Sequence, residues 1–222
     1  MMKRTIQTAV AAAFFGSAFV AHAATTLVQN GYVHGGPSNV TVAGAPSNNG
    51  NHNAGEFTGV FNGTSFQSYC SDLLQTFSFG TVYTAAYSAQ TGSAAYGATK
   101  ATQIGQLLTA GGGFAASVTS SQSTALQAGI WEILYETTTT SPLNLGNGNF
   151  RAAPGSVLAA DLTTVNGYLA NLNSYAVTPF TALVSREHQD FITAVPKPET
   201  YALMLAGLAS IGFVARRRAS KA

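Results

Sequence analysis

Two short stretches hold the residue types best able to do chemistry. One is Tyr69-Cys70-Ser71-Asp72-Leu73-Leu74. The other is Leu126-Gln127-Ala128-Gly129-Ile130-Trp131-Glu132-Ile133-Leu134. Cys70 is the single cysteine, which excludes an internal disulfide framework. Such a residue is buried and inert, paired with another chain, or used as a nucleophile. A nucleophilic cysteine needs a base, so one reading is a hydrolase of envelope polymers working through Cys70. His34, His52 and His188 fall in loop-like sequence with no ligand-like spacing, so no metal and no cofactor are expected. Gln127 and Trp131 stand at i and i+4 and share one helix edge. On the residues alone, Gln127 is a hydrogen-bond partner for a strand backbone and Trp131 is core. Glu132 and Glu136 are also i and i+4 and read as a solvated face. Glycosidase carboxylates would come from separate elements around a cleft. No glycine-rich phosphate motif follows a strand and opens a helix.

The elements around these residues read as α+β. Val40 to Ala43 is a short strand between turn-rich runs. Glu56 to Phe61 and Thr64 to Cys70 alternate polar and apolar residues around Asn62-Gly63, the strongest two-residue hairpin signal. Phe77 to Tyr87 also reads as β. Helical spacing then begins. Tyr96, Ile104, Leu107 and Leu108 mark one helix, ended by Gly111-Gly112-Gly113. Leu126, Ile130, Ile133 and Leu134 mark a second, with N-cap candidates from Ser121 to Thr124 and an end at Thr137 to Pro142. Leu158, Leu162, Val165, Leu169 and Leu172 form a third stripe. Ala176 to Ser185 and Asp190 to Ala194 read as closing strands. The expected fold is a single α+β domain over 24–194, with strands at both ends of the body and a central group of amphipathic helices.

The two chain ends address the protein. Lys3 and Arg4, the apolar run Ala9 to Val20, and Ala21-His22-Ala23 have the order of a cleavable signal peptide, 1–23. At the other end, Val195-Pro196-Lys197-Pro198-Glu199-Thr200 precedes the apolar run 201–215. Arg216, Arg217 and Arg218 follow it. Those 15 apolar residues make a helix of ~22 Å, short of a ~30 Å hydrocarbon core, a deficit that snorkelling arginines and local thinning cover. The arginines stay cytoplasmic and leave the body outside. The body itself has three basic residues against seven acidic ones, a net of −4. It lacks the electrostatic footprint of a nucleic-acid binder. Charged residues are only 8% of the chain, which suits an extracellular surface rich in hydroxyls and amides.

The tail 195–218 resembles the PEP-CTERM sorting signal of Gram-negative bacteria: a Pro-Glu-Pro-like motif (Pro196, Pro198, Glu199), a transmembrane segment and a basic cluster. It departs from the pattern at Lys197. The resemblance implies an exported protein handled by signal peptidase and the secretion translocon. An exosortase-type membrane protease would then sort it. The chain would be held transiently in the inner membrane by its C-terminal helix, and then reach the cell surface or an exopolysaccharide matrix. The central body resembles the thioester domains of bacterial surface adhesins, through Tyr-Cys-x-Asp at 69–72 and Gln-x-x-Ile-Trp at 127–131. It departs at Leu126, where threonine is usual. That resemblance implies a bond from the Cys70 sulfur to the Gln127 side-chain carbonyl, formed with loss of ammonia. Tyr69, Asp72 and Trp131 would support it, and Trp131 and Tyr69 would exclude water. It implies a non-catalytic adhesion or biofilm-matrix protein that couples once to an amine-bearing target.

Overall fold

The computed structural model describes residues 25–34, 38–43, 50–115, 117–137, 143–152, 159–195 and 207–211. The signal peptide, the motif at Pro196, Pro198 and Glu199, and Arg216 to Arg218 lie outside these residues. Of the apolar run 201–215, only 207–211 is described, as a helical turn with Leu208 and Ile211 exposed. Among the described residues, no helix is long and apolar enough to cross a membrane.

Five strands open the body: β1 (Thr26–Tyr32), β2 (Ser38–Ala43), β3 (Gly50–Ala54), β4 (Phe57–Phe61) and β5 (Thr64–Cys70). β4 and β5 form the expected hairpin. Phe61 pairs with Thr64, and Asn62 and Gly63 take positive φ values of 50° and 79°, which matches the strand twist in a two-residue turn. The stretch 77–87 departs from expectation. Only β6 (Tyr83–Thr84) is a strand there, and β7 (Ser88–Thr91) follows it. The phenylalanines of this segment lie over the sheet instead of pairing within it, while Tyr83 pairs with Leu27 of β1. The Phe77 ring packs 5.4 Å from Phe57 and 5.2 Å from Phe191. Burying these large rings outweighs the β propensity of the backbone that carries them.

The helices come next: α1 (Gly92–Tyr96), α2 (Ala98–Gly111) and α3 (Ser120–Tyr135). Tyr96 belongs to α1 and not to the helix of Ile104, Leu107 and Leu108, because Gly97 at φ 81° breaks the run. α2 ends at Gly112, whose left-handed conformation closes the helix. α3 begins earlier than expected. Thr119 caps it and forms a reciprocal capping box with Gln122. Thr119→Ala is expected to lower stability by about 1 kcal/mol, read as a shift in urea midpoint without a change in slope. α3 lies between α2 and α4 (Ala159–Ala170), and Gly129 permits the approach. A Cβ there would stand 2.8 Å from Leu107 Cδ2 and 2.9 Å from Val165 Cγ2. β8 (Arg151–Ala152) lies between α3 and α4, and β9 (Phe180–Val184) and β10 (Phe191–Ala194) close the body.

The strands form an antiparallel sheet ordered β6-β1-β4-β5-β10-β9-β7 and a smaller one ordered β3-β2-β8. The fold is therefore mixed α and β, with strands opening and closing the body and helices between. β10 arrives late in the chain yet pairs with β5, setting Phe191 opposite Cys70 and Ile192 opposite Tyr69. Side chains alternate across a strand. Cys70 and Phe191 thus share one face, and Tyr69 and Ile192 the other. All four are essentially inaccessible to solvent.

Candidate functional site

One edge of α3 clamps the end of β5. Ser123, Gln127, Trp131 and Tyr135 recur every four residues and so lie in a row. Ser123 Oγ accepts from the Glu56 N–H at 2.6 Å. Tyr135 Oη accepts from the Leu73 N–H at 2.8 Å. Gln127 makes the central contact: its Oε1 accepts from the Cys70 N–H at 2.8 Å and its Nε2 donates to the Cys70 carbonyl at 2.7 Å. The β4–β5 ladder ends at Phe57 and Ser68. The next outward-pointing backbone groups of β5 are those of Cys70, and the Gln127 amide completes the ladder that β4 no longer supplies. Gln127 is fully buried, so this pairing satisfies two backbone groups that water cannot reach.

The sulfur has a different partner. Cys70 is 1% exposed, and its Sγ donates to the Asp72 carbonyl at 2.9 Å. Gln189 Nε2 lies 2.5 Å from Sγ and also donates to the Asp72 carbonyl at 2.9 Å. Trp131 is buried beside the sulfur. Its indole N–H favours the thiolate, although no acceptor closes a hydrogen bond with it. Burial dominates and pushes the Cys70 thiol up to about 12, against the opposing pull of the Asp72 backbone, Trp131 and Gln189. The described histidines have contacts of their own. His34 Nε2 is 3.2 Å from Glu56 Oε2, His188 stacks on Tyr83 at 4.6 Å, and the His52 ring is 5.9 Å from Trp131.

Each residue singled out from sequence has a defined place. Cys70, Gln127 and Trp131 do come together, but Gln127 holds the cysteine backbone. Tyr69 does not cover the sulfur. As the strand neighbour of Cys70 it points to the other face, where its hydroxyl donates to the Gly113 carbonyl at 3.3 Å and its ring packs on Phe114. Asp72 accepts from the Leu74 N–H at 2.7 Å and borders an open cleft beside Cys70. Glu132 is not on a solvated face. It is fully buried, pushed up to about 7 chiefly by that burial, and Asn144 N–H donates to its Oε1 at 2.8 Å. Glu136 Oε2 accepts from the Phe150 N–H at 3.1 Å. The two acids tie down the 143–150 loop, whose backbone donors would otherwise be unpaired over the helix.

Three residues escaped sequence reasoning. Gln189 and Asp190 precede β10, and only the long-range pairing of β10 with β5 brings them to Cys70. Periodicity carries no sign of that pairing. Glu56 reads from sequence as a strand residue. It is buried, pushed up to about 8 by desolvation, and its Oε1 has no hydrogen-bond partner. Among the described residues, no three His, Cys, Asp or Glu side chains converge to hold a metal ion. Comparison of this chain with known proteins finds no matching family, no matching curated protein and no matching solved structure.

Proposed function

We propose that the chain is an exported cell-surface or extracellular-matrix protein whose body stores an internal thioester between Cys70 Sγ and Gln189 Cδ. The observation that carries this reading is the contact of the Gln189 side-chain amide with Cys70 Sγ, the one side-chain amide bonded to the sulfur among the described residues. The acyl role expected of Gln127 passes to Gln189, since both polar atoms of the Gln127 side chain are committed to the Cys70 backbone. Formation joins S to Cδ, breaks Cδ–Nε2 and releases the nitrogen with the thiol proton as ammonia. The sulfur end of the bond would be buried beside Trp131, which shields a stored electrophile from water. A target amine would open it once, leaving an amide and a free thiol. A cysteine hydrolase is less well supported, because burial raises the thiol. Export and sorting by an exosortase-type system rest on the sequence of the two chain ends.

Intact mass tests the reading. The purified protein is expected to be lighter than its sequence by one ammonia, and methylamine is expected to add one equivalent. Cys70→Ala and Gln189→Ala should both show full sequence mass. A wild type of full mass, with a Cys70 thiol that titrates after denaturation, would refute the thioester.

A further inference from the structure

Glu56 lines a narrow cleft of about 10 Å³ between the turn after β1, the end of β3 and the first turns of α3. The Glu56 side chain is fully buried, and its Oε1 has no hydrogen-bond partner. Oε2 lies 3.2 Å from His34 Nε2. A proton on Glu56 does not resolve this. On Oε1 it would find no acceptor, and shared with His34 on Oε2 it would leave Oε1 a bare buried oxygen. Such an atom is costly until something meets it.

The rest of the wall adds acceptors and no free cation. Thr124 Oγ1 is 3.1 Å from the Ser120 carbonyl and 3.4 Å from the Ala54 carbonyl, and its one proton serves only one of them. Ser123 Oγ accepts from the Glu56 N–H at 2.6 Å, and its hydroxyl faces the Tyr69 phenol. Among the described residues lining the cleft, His34 is the one basic side chain, and it is spent on Oε2. We infer that this cleft is a site for one small monovalent cation, bound by Glu56 Oε1, Thr124 Oγ1 and the Ala54 carbonyl, with His34 steadying the carboxylate from its other oxygen.

Charge and size select the occupant. One carboxylate neutralises one positive charge, and a divalent ion would leave a buried net charge. The space is about that of a single water, which excludes an organic cation and a magnesium ion with its hydration shell. The first turn of α3 opposes any cation through its helix dipole, so the site is weak and fills where sodium is abundant. Sodium and the proton compete for Glu56: binding sends the carboxyl proton to water, and occupancy rises with pH. The titratable groups facing Glu56 are His34, Tyr32 and Tyr69, and α3 and β3 add no charge at the cleft. Burial raises both phenols, so they stay neutral, and a protonated His34 would repel sodium and strengthen the same trend.

This inference stands apart from the thioester reading. Its test compares the protein in sodium chloride and in choline chloride at equal concentration. Near pH 8.5 the melting temperature is expected to be higher in sodium by about 3 °C or more, and near pH 5 the two salts should agree. Glu56→Gln should abolish the difference. Stability still declines with pH in sodium, because Glu132 and Asp190 titrate as well. A second readout is the broadening of the ²³Na NMR line by the protein near pH 8.5. Glu56→Gln should remove it, and Thr124→Val, which keeps the side-chain shape, should weaken binding at least threefold. Equal melting in the two salts would mean that water or a proton alone meets Oε1, and would overturn the site. So would a sodium effect that survives Glu56→Gln, or a larger gain from calcium at equal ionic strength.

Discussion

Gln127→Leu is expected to destabilise the domain by roughly 2–6 kcal/mol, because it orphans two buried backbone groups at about 1–3 kcal/mol each. The Cys70 N–H and carbonyl are the groups at risk, and the fully buried Gln127 amide is their partner across α3 and β5. In a domain of this size each kcal/mol moves the melting temperature by roughly 2–4 °C. Leucine conserves much of the volume, so the loss reports hydrogen bonding more than a cavity. Gln127→Glu should fare no better. Its second oxygen would face the Cys70 carbonyl, acceptor against acceptor, in a site that resists charge. The comparison that gives the experiment its force is Gln189→Leu. Gln189 is only half-buried and touches the sulfur and one carbonyl, so its loss should leave the unfolding midpoint nearly unchanged while abolishing the ammonia loss. Urea unfolding of both variants in a Cys70→Ala background removes any covalent contribution. If Gln127→Leu costs under about 1 kcal/mol, the amide is not the clamp that its geometry makes it.

The contrast between the two glutamines shows where sequence reading stops. Local signals were reliable wherever the chain decides its conformation from near neighbours. Asn62-Gly63 had to turn, and it does. Gly111 to Gly113 had to end α2, and Gly112 does. The stripes of Leu126, Ile130 and Ile133 and of Val165 and Leu169 had to face a core, and they are buried. The i and i+4 relation of Gln127 and Trp131 correctly put them on one edge beside Cys70. Failures came where a tertiary contact overrode the local preference. The 77–87 segment has strand composition but spends its rings on the face carrying Phe57 and Phe191.

The position of Gln189 was hidden for a related reason. It depends on β10 crossing most of the chain to pair with β5, and nothing local in His188-Gln189-Asp190 announces a sulfur two strand positions away. Glu56 and Glu132 were hidden by a general expectation. Carboxylates are almost never fully buried without a partner, so polar positions on strands and helices are read as solvated. Here the body has too few basic residues to pair them. Lys100 goes to a carbonyl, and the acids are neutralised by backbone donors, by His34 or by a proton.

That shortage of cations leads to the second large effect. Folding stability is expected to fall as pH rises from about 5 to about 8.5, the reverse of a protein held together by ionised carboxylates. The native carboxyls of Glu56, Glu132 and Asp190 are raised to about 8, about 7 and about 6, each mainly by burial. A raised native value means that the folded state binds the proton more tightly than the unfolded one. Its contribution is complete below the unfolded value and is lost as pH climbs through the folded value, at up to about 1.4 kcal/mol per pH unit per proton. Glu56 gives the widest window. Among the described residues its Oε1 is unpartnered and His34 is the one side chain hydrogen-bonded to its Oε2, so an ionised Glu56 is poorly compensated. The effect also reaches the sulfur. The Glu56 backbone is bonded to Ser123, one turn before Gln127 and two before Trp131 on the same edge of α3. Ionising Glu56 should loosen that edge and admit water to Cys70. Melting temperature measured across this range should therefore decline in the wild type and decline less in Glu56→Gln, with the difference largest above about pH 7, and hydrolysis of the thioester should accelerate over the same window more in the wild type than in the variant. A melting temperature that rises with pH would overturn this reading of Glu56.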